Sequence, residues 1–378
     1  MLTIVIDDAV VEAERLFGAL AKTIIVPGRD ITQNAQHADA LIIRSRTQIT
    51  ASFLQQHPNI RFIGSTVVGL DHIDQQACSE AGVTLYTAQG CNARSVAEYV
   101  IVQIVAHALQ QQRELESLTL GIIGVGNVGK QLQQLASLLG IQLILNDPFR
   151  QQAESDFPHT SLTELLAQSD IISLHTPLTD AGDHPTFHLI NSDNLAYIQP
   201  HSLLINAARG DVVDEAALLA RRDLQLITDC WSHEPNINSE LLAKSQLATP
   251  HIAGHAWDAK YRGGFMAAQA LAHWSGQKSP EYNPNPSQAS PILASGKTPL
   301  EQLNSILQQA YPFFLDDQTL RNSPDAERAH TFEYYRRHYP LRREWTELFV
   351  INQSLTEITY LWLNRLGFKL LESANISH

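Results

Sequence analysis

Leu118-Thr119-Leu120-Gly121-Ile122-Ile123-Gly124-Val125-Gly126-Asn127-Val128-Gly129 runs from an apolar stretch into a glycine-rich turn, and a second apolar stretch, residues 141–145, leads to Asp147. The spacing predicts a buried parallel strand over 118–123, a helix over 128–139 and a second strand over 141–145. In that order Gly124 makes the tight turn, Gly126 lets the backbone approach a pyrophosphate, and Gly129 lets the helix pack against the sheet. The unpaired N–H groups where the helix begins, around Asn127 and Val128, suit the negative diphosphate of a dinucleotide. Asp147 can accept hydrogen bonds from both hydroxyls of the adenosine ribose and repels a 2′-phosphate. The expected cofactor is therefore NAD rather than NADP, although Arg150 stands close enough in sequence to welcome such a phosphate. The plainer reading of Asp147 is a loop cap.

A chain of 378 residues suggests two or three domains with substantial cores. Hydrophobic residues make up 44% and charged residues 17%, and no apolar run has the length of a membrane span. The start, Met1-Leu2-Thr3-Ile4-Val5-Ile6-Asp7-Asp8, enters a strand-like run with no signal-peptide pattern. Cys78, Cys91 and Cys230 are odd in number and widely spaced, which fits reduced cytosolic thiols and gives no metal-type pairing. The expectation is a cytoplasmic protein with no bound metal and no membrane partner. A net charge of −13 argues against nucleic acid as a partner, and it requires local arginines to catch an anionic substrate.

Upstream of the glycine turn, short apolar runs at 3–6, 23–26, 40–43, 61–64 and 83–86 alternate with helix-compatible stretches at 10–20 and 74–81. That alternation predicts a mostly parallel α/β unit of its own. Residues 94–109 read as a long helix into the nucleotide unit, which continues through a helix at 162–168, strands at 171–174 and 203–205, a helix at 215–220 and a strand at 224–228. Residues 257–274 are helical again. The stretch 276–296, rich in Pro, Ser, Asn and Gln, reads as a linker to a separate C-terminal segment.

Three segments place polar residues just after apolar strands: Asn206-Ala207-Ala208-Arg209-Gly210, Asp229-Cys230-Trp231-Ser232-His233-Glu234-Pro235 and Thr249-Pro250-His251-Ile252-Ala253-Gly254-His255. Strand ends of a doubly wound sheet converge on one crevice. Removing hydride from a 2-hydroxy acid needs a base for the hydroxyl proton, and histidine suits a near-neutral pH. It needs a carboxylate to fix the imidazole tautomer, and a guanidinium to grip the substrate carboxylate. His251, Glu234 and Arg209 take these roles. Each alone could equally be a core histidine, a solvated loop or a surface turn; their places at successive strand ends favour catalysis. His233 is the chief rival base, but its position next to Glu234 makes a mutual side-chain hydrogen bond awkward. Asp229 is a candidate for the nicotinamide carboxamide and Thr176 for the cofactor's phosphate or ribose side.

These segments, with Ser173-Leu174-His175-Thr176-Pro177-Leu178, resemble the D-isomer-specific 2-hydroxyacid dehydrogenases over roughly residues 1 to 280. The resemblance implies two Rossmann-like doubly wound α/β domains, the substrate domain discontinuous, with the active site in the cleft between them. It also implies the arginine, glutamate and histidine roles given above. Arg44-Ser45-Arg46-Thr47, Gly90-Cys91-Asn92-Ala93 and Tyr339-Pro340-Leu341-Arg342-Arg343-Glu344-Trp345 are similar to a subgroup that carries an extra α+β dimerisation domain and acts on a phosphorylated 2-hydroxy acid. The implied domains are 1–93 with 255–283 for substrate, 94–254 for NAD and 284–378 for homodimer formation. By the same similarity Ser45, Thr66 and His255 fall at substrate positions, and Asp147, Thr176, Ala207, Ala208, Arg209, Asp229 and Gly254 at cofactor positions. The family more often has tyrosine where this chain has His255, which adds a titratable group. A phosphorylated acid needs a second cationic cluster, for which Arg44 and Arg46 are the candidates and Arg94 a weaker one. The competing readings are a phosphoglycerate dehydrogenase or hydroxypyruvate/glyoxylate reductase of the same family, and a dinucleotide-sensing, corepressor-like binding protein. The C-terminal segment argues against the first two; the motifs do not exclude the corepressor-like reading, whose long regulatory tails and peptide-docking role are not visible in this sequence.

Overall fold

The structure, a computed structural model, describes residues 2–372. The chain divides into two compact units, Met1–Asn92 with Ala256–Pro286, and Ala93–His255 with Ser287–His378. Among the described residues no helix is long and apolar enough to cross a membrane.

The first unit is built on five parallel strands, β1 (Thr3–Asp7), β2 (Lys22–Val26), β3 (Ala40–Ile43), β4 (Phe62–Ser65) and β5 (Thr84–Thr87), in the order β2-β1-β3-β4-β5. The central strands are apolar on both faces, as parallel strands covered on two sides must be. One face packs under the helix Trp257–Trp274, whose Tyr261, Ala268 and Leu271 share a core with Ile4, Ile6 and Phe62. The helix expected over 10–20 is shorter, Ala13–Phe17: Glu12 before it takes a left-handed φ of 55° and Gly18 ends it.

The second unit carries six parallel strands, β6 (Thr119–Ile123), β7 (Gln142–Asn146), β8 (Ile171–Leu174), β9 (Leu203–Asn206), β10 (Gln225–Thr228) and β11 (Leu247–Ala248), in the order β11-β10-β9-β8-β6-β7. The winding reverses at β6, between β7 and β8, which opens a ligand crevice at their carboxyl ends. The helix Ala93–Gln110 is almost wholly buried on this sheet, so it has little amphipathic contrast.

Residues 287–372 add a three-stranded parallel sheet, β12 (Ile292–Leu293), β13 (Phe349–Asn352) and β14 (Lys369–Glu372), with four longer helices. The sequence sets 284–378 apart as a domain; in the structure Leu303, Leu307, Tyr311, Trp345 and Leu363 join one apolar core with Val100, Ile104, Leu132 and Ile252. A buried polar cluster reinforces that junction. Ser95 Oγ donates to Glu344 at 2.7 Å, Trp345 N to Glu98 at 3.0 Å, and Arg342 to the carbonyls of Ser95 and Ala253 at 2.6 and 3.0 Å. The stretch read as linker also contributes β12, because Ile292 buries its side chain at its far end.

Candidate active site

The glycine turn has the shape the sequence requires. Gly124 takes a φ of 85°, and a Cβ there would stand 2.8 Å from the His175 carbonyl carbon. A Cβ at Gly129 would stand 2.2 Å from Gly124 O, so the helix Asn127–Leu138 sits directly on the turn. Nothing lies within 4 Å of a Cβ built on Gly126, and this N-cap offers no side chain to the first helical N–H groups. Open space above bare donors fits a diphosphate. Thr176, beside the turn, has a buried Oγ1 with no hydrogen-bond partner among the described residues, which suits a cofactor hydroxyl or phosphate.

Asp147 does cap a helix, Pro148–Ala153, through Arg150 N at 3.0 Å, and its other oxygen accepts from Val125 N at 2.8 Å. The carboxylate thus fixes the turn while each oxygen keeps acceptor capacity for a ribose hydroxyl. Arg150 bonds Glu154 through Nε at 2.9 Å and stacks over Phe157, so it is engaged elsewhere than at a 2′-phosphate. The residues present fit NAD.

The other strand ends hold the remaining candidate residues. Beyond β9, Asn206 folds its loop back, donating to Arg209 O at 3.0 Å and accepting from Ala208 N at 3.1 Å. Arg209 Nη1 donates to Ala208 O at 2.8 Å. Beyond β10 and β11, Glu234 receives His251 Nδ1 at 2.8 and 3.0 Å. Trp231 N also donates to Glu234 Oε1, at 2.9 Å. Burial pushes the Glu234 carboxyl up, but His251, Arg336 and the Trp231 N–H outweigh it and hold Glu234 below the usual range. His251 itself is held at a φ of 55°, a left-handed conformation that costs of order 1 kcal/mol outside glycine.

Asp229 explains how that strain is sustained. Its carboxylate, wholly buried, accepts from Ile252 N at 2.8 Å, Ala253 N at 3.1 Å and Thr249 Oγ1 at 2.7 Å, while its carbonyl accepts from His251 N at 2.8 Å. Asp229 therefore pins the loop on both sides of His251. Thr249 is tied in turn to Tyr99 at 2.9 Å and to Trp231 Nε1, which donates to its carbonyl at 2.9 Å. Cys230 Sγ, a Glu234 oxygen and a ring nitrogen of His251 lie within 4.8 Å of one another. Burial keeps the Cys230 thiol protonated, pushing it well above its ordinary value, with Asp229 and Glu234 adding to the effect. His233 has a left-handed φ of 58° and, among the described residues, makes no hydrogen bond to Glu234. Burial drives His175 down to about 3, so it is a neutral ring bonded to Ser173 Oγ at 2.8 Å. Gly254 follows Ala253 in the same pinned loop, and His255 meets Tyr339 edge-on at 5.8 Å.

A residue that sequence reasoning missed stands beside the dyad. Arg336, from the helix Arg328–Arg337, places Nη1 3.8 Å from Glu234 Oε2. It belongs to the run Tyr334-Tyr335-Arg336-Arg337, far from Glu234 along the chain, so no spacing rule connects the two.

In the first unit Arg44, Ser45 and Arg46 form a turn at the carboxyl end of β3, with Thr47 N donating to Arg44 O at 3.2 Å. Thr66 follows β4, next to β3, and donates its N–H to Ile43 O at 3.0 Å. Ser45 and Thr66 are thus on neighbouring strand ends. Lys260, also missed, is pushed down to about 8 by burial and by the nearby charge of Arg44. Arg94, the weaker phosphate candidate, is committed to Glu98 at 2.7 Å and to Leu366 O at 2.5 Å.

A dinucleotide turn, a carboxylate-steadied histidine and an arginine at successive strand ends are the parts of a hydroxyacid dehydrogenase. Residues 93–253 match the family model for the NAD-binding domain of D-isomer specific 2-hydroxyacid dehydrogenases, and residues 285–367 match a model described as a domain of unknown function. The chain is 45% identical to an erythronate-4-phosphate dehydrogenase of Hydrogenovibrio crunogenus, over 98% of this chain and 99% of that one. It is 38% identical to one from Edwardsiella ictaluri, over 97% and 99%. A solved NAD+-bound 3-phosphoglycerate dehydrogenase of Entamoeba histolytica aligns at 25% identity with a TM-score of 0.62, over 72% of this chain and 95% of that one. The chain belongs to the erythronate-4-phosphate dehydrogenase family.

Proposed function

We propose that this enzyme oxidises 4-phospho-D-erythronate at C2 to 2-oxo-3-hydroxy-4-phosphobutanoate, a step toward pyridoxal 5′-phosphate, vitamin B6. NAD, when bound, supplies the hydride acceptor. His251 takes the C2 hydroxyl proton through Nε2, the nitrogen that Glu234 leaves open, and Glu234 stabilises the imidazolium that forms. Arg209 holds the substrate carboxylate and polarises the developing C2 carbonyl. Arg44, with Lys260 beside it and Arg46 on the same turn, supplies cations for the phosphate dianion, and Ser45, Thr66 and His255 supply hydrogen bonds. The Glu234–His251 bond of 2.8 Å, at the strand ends of an NAD-type sheet, carries the proposal. Identities of 34–45% over nearly the whole chain point to this substrate rather than to phosphoglycerate, whose enzyme aligns at 25%.

A panel of 2-hydroxy acids with and without a terminal phosphate, followed by NADH absorbance, tests this. The expected result is fastest turnover with 4-phospho-D-erythronate; preference for an unphosphorylated acid or for 3-phosphoglycerate overturns it.

The C-terminal segment is further proposed to pair two copies. Ile358 and Leu361 lie three apart on the helix Glu357–Leu366 and are 50% and 42% exposed, and Leu341 is 71% exposed, an unusual density of bare apolar side chains. Leu361→Glu should turn a dimer into a monomer by sedimentation; a monomeric parent refutes the pairing. The three buried free cysteines support a place in the reducing cytoplasm.

A further inference from the structure

We propose that Arg336, supplied by the C-terminal extension, is a positioning residue for the catalytic dyad: it steadies Glu234 and sets the pH above which His251 works as a base. The proposal rests on the reading of His251 as that base. Arg336 Nη1 is 3.8 Å from the same Glu234 Oε2 that receives His251 Nδ1 at 2.8 Å, so one carboxylate oxygen faces both the guanidinium and the imidazole. Its helix is fixed where this matters. Phe332, one turn earlier and wholly buried, joins a core with Trp231 and Ile237, which flank Glu234, and the Arg336 guanidinium lies 5.7 Å from the Phe332 ring centre. At the start of the helix, Arg328 donates to Ser239 Oγ at 2.9 Å, just beyond the same loop.

The charges around the dyad make Arg336 the balancing one. The Asp229 carboxylate, held by the Ile252 and Ala253 N–H groups, is close enough to His251 for their charges to interact, and Glu234 bonds the ring directly. The Cys230 thiol is held neutral between them, and Arg209 and Arg336 are the cations that act on it. Glu215, on the next helix, is turned to Ser232 N at 3.1 Å. When substrate binds, its carboxylate neutralises Arg209. Two carboxylates then face one imidazole, and Arg336 is the cation left to offset them. Without it, the carboxylates favour the imidazolium, which cannot accept a proton. Activity in the oxidative direction then needs a higher pH.

The test is the pH profile of kcat/KM for 4-phospho-D-erythronate oxidation by the full-length parent, Arg336→Gln and Arg336→Lys, from about pH 5 to about pH 9, with NADH affinity measured alongside by fluorescence. The expected result is an acid limb moved upward by about half a unit to one unit in the glutamine variant and returned to the parent position by lysine, with NADH affinity unchanged. An acid limb that stays in place, a shift that lysine does not reverse, or a glutamine variant that loses NADH binding overturns the proposal and makes Arg336 a structural contact. If the parent instead turns over another acid of the panel, the three profiles are taken with that acid, so the substrate and the arginine are judged separately.

Discussion

Gly210 lies so close to Trp231 that a Cβ at position 210 would stand 1.9 Å from the Trp231 carbonyl carbon and 2.1 Å from Ser232 N. That approach brings the loop carrying Arg209 against the loop carrying Glu234, and it is open only to glycine. Gly210→Ala must separate the two loops. Because misplacement by about 1 Å can cost a hundredfold in rate, kcat should fall by roughly that factor. NADH affinity should hold within about threefold, since the turn at 124–129 is untouched. Steady-state kinetics with fluorescence titration read both.

Arg209→Ala should lower kcat/KM by about three orders of magnitude or more, the loss of roughly 4 kcal/mol of transition-state stabilisation. NADH binding should remain. Arg209→Lys should recover little, because an ammonium cannot match the planar two-point grip on a carboxylate. Loss of NADH binding in the alanine variant would make Arg209 a structural residue.

Burial first, and the nearby positive charge of Arg44 second, lower the Lys260 ammonium to about 8. A phosphate dianion relieves that repulsion. Arg44→Ala and Lys260→Met should each raise KM for the phosphorylated substrate by roughly ten- to a hundredfold and leave unphosphorylated erythronate nearly unaffected. Equal effects on both substrates would show that neither cation meets the phosphate.

Glu234 is held below its ordinary value of 4.5 in the folded protein, so the folded state binds fewer protons there than the unfolded one. Its contribution to stability is fully present above pH 4.5 and is lost as pH falls through the lower folded value. The melting temperature of Glu234→Gln should therefore lie below the parent's at neutral pH, with the gap closing under acid conditions. A gap that is constant with pH would mean the carboxylate is not ionised in the fold.

Much of this molecule is legible in its sequence because local rules suffice. The strand at 118–123, the turn and the helix after it follow from apolar runs and glycine spacing, and Glu234 with His251 follow from their places after strands. What stayed hidden depends on distant packing. Arg336 reaches Glu234 through a helix whose own pattern says only that it is basic and aromatic. Asp229 reads as a ligand contact, yet its carboxylate holds the backbone around His251, which no spacing rule shows. The C-terminal segment reads as separate because its linker is polar, while the residues that bind it to the nucleotide unit, Ser95, Glu98, Glu344 and Trp345, are separated by some two hundred and fifty positions.

The most direct test of hydride transfer at this site uses 4-phospho-D-erythronate deuterated at C2, with the cofactor product analysed by mass spectrometry. If His251 removes only the hydroxyl proton while the C2 hydrogen leaves as hydride, the NADH formed carries the deuterium and the solvent none. Deuterium released to water, with unlabelled NADH, would contradict the account.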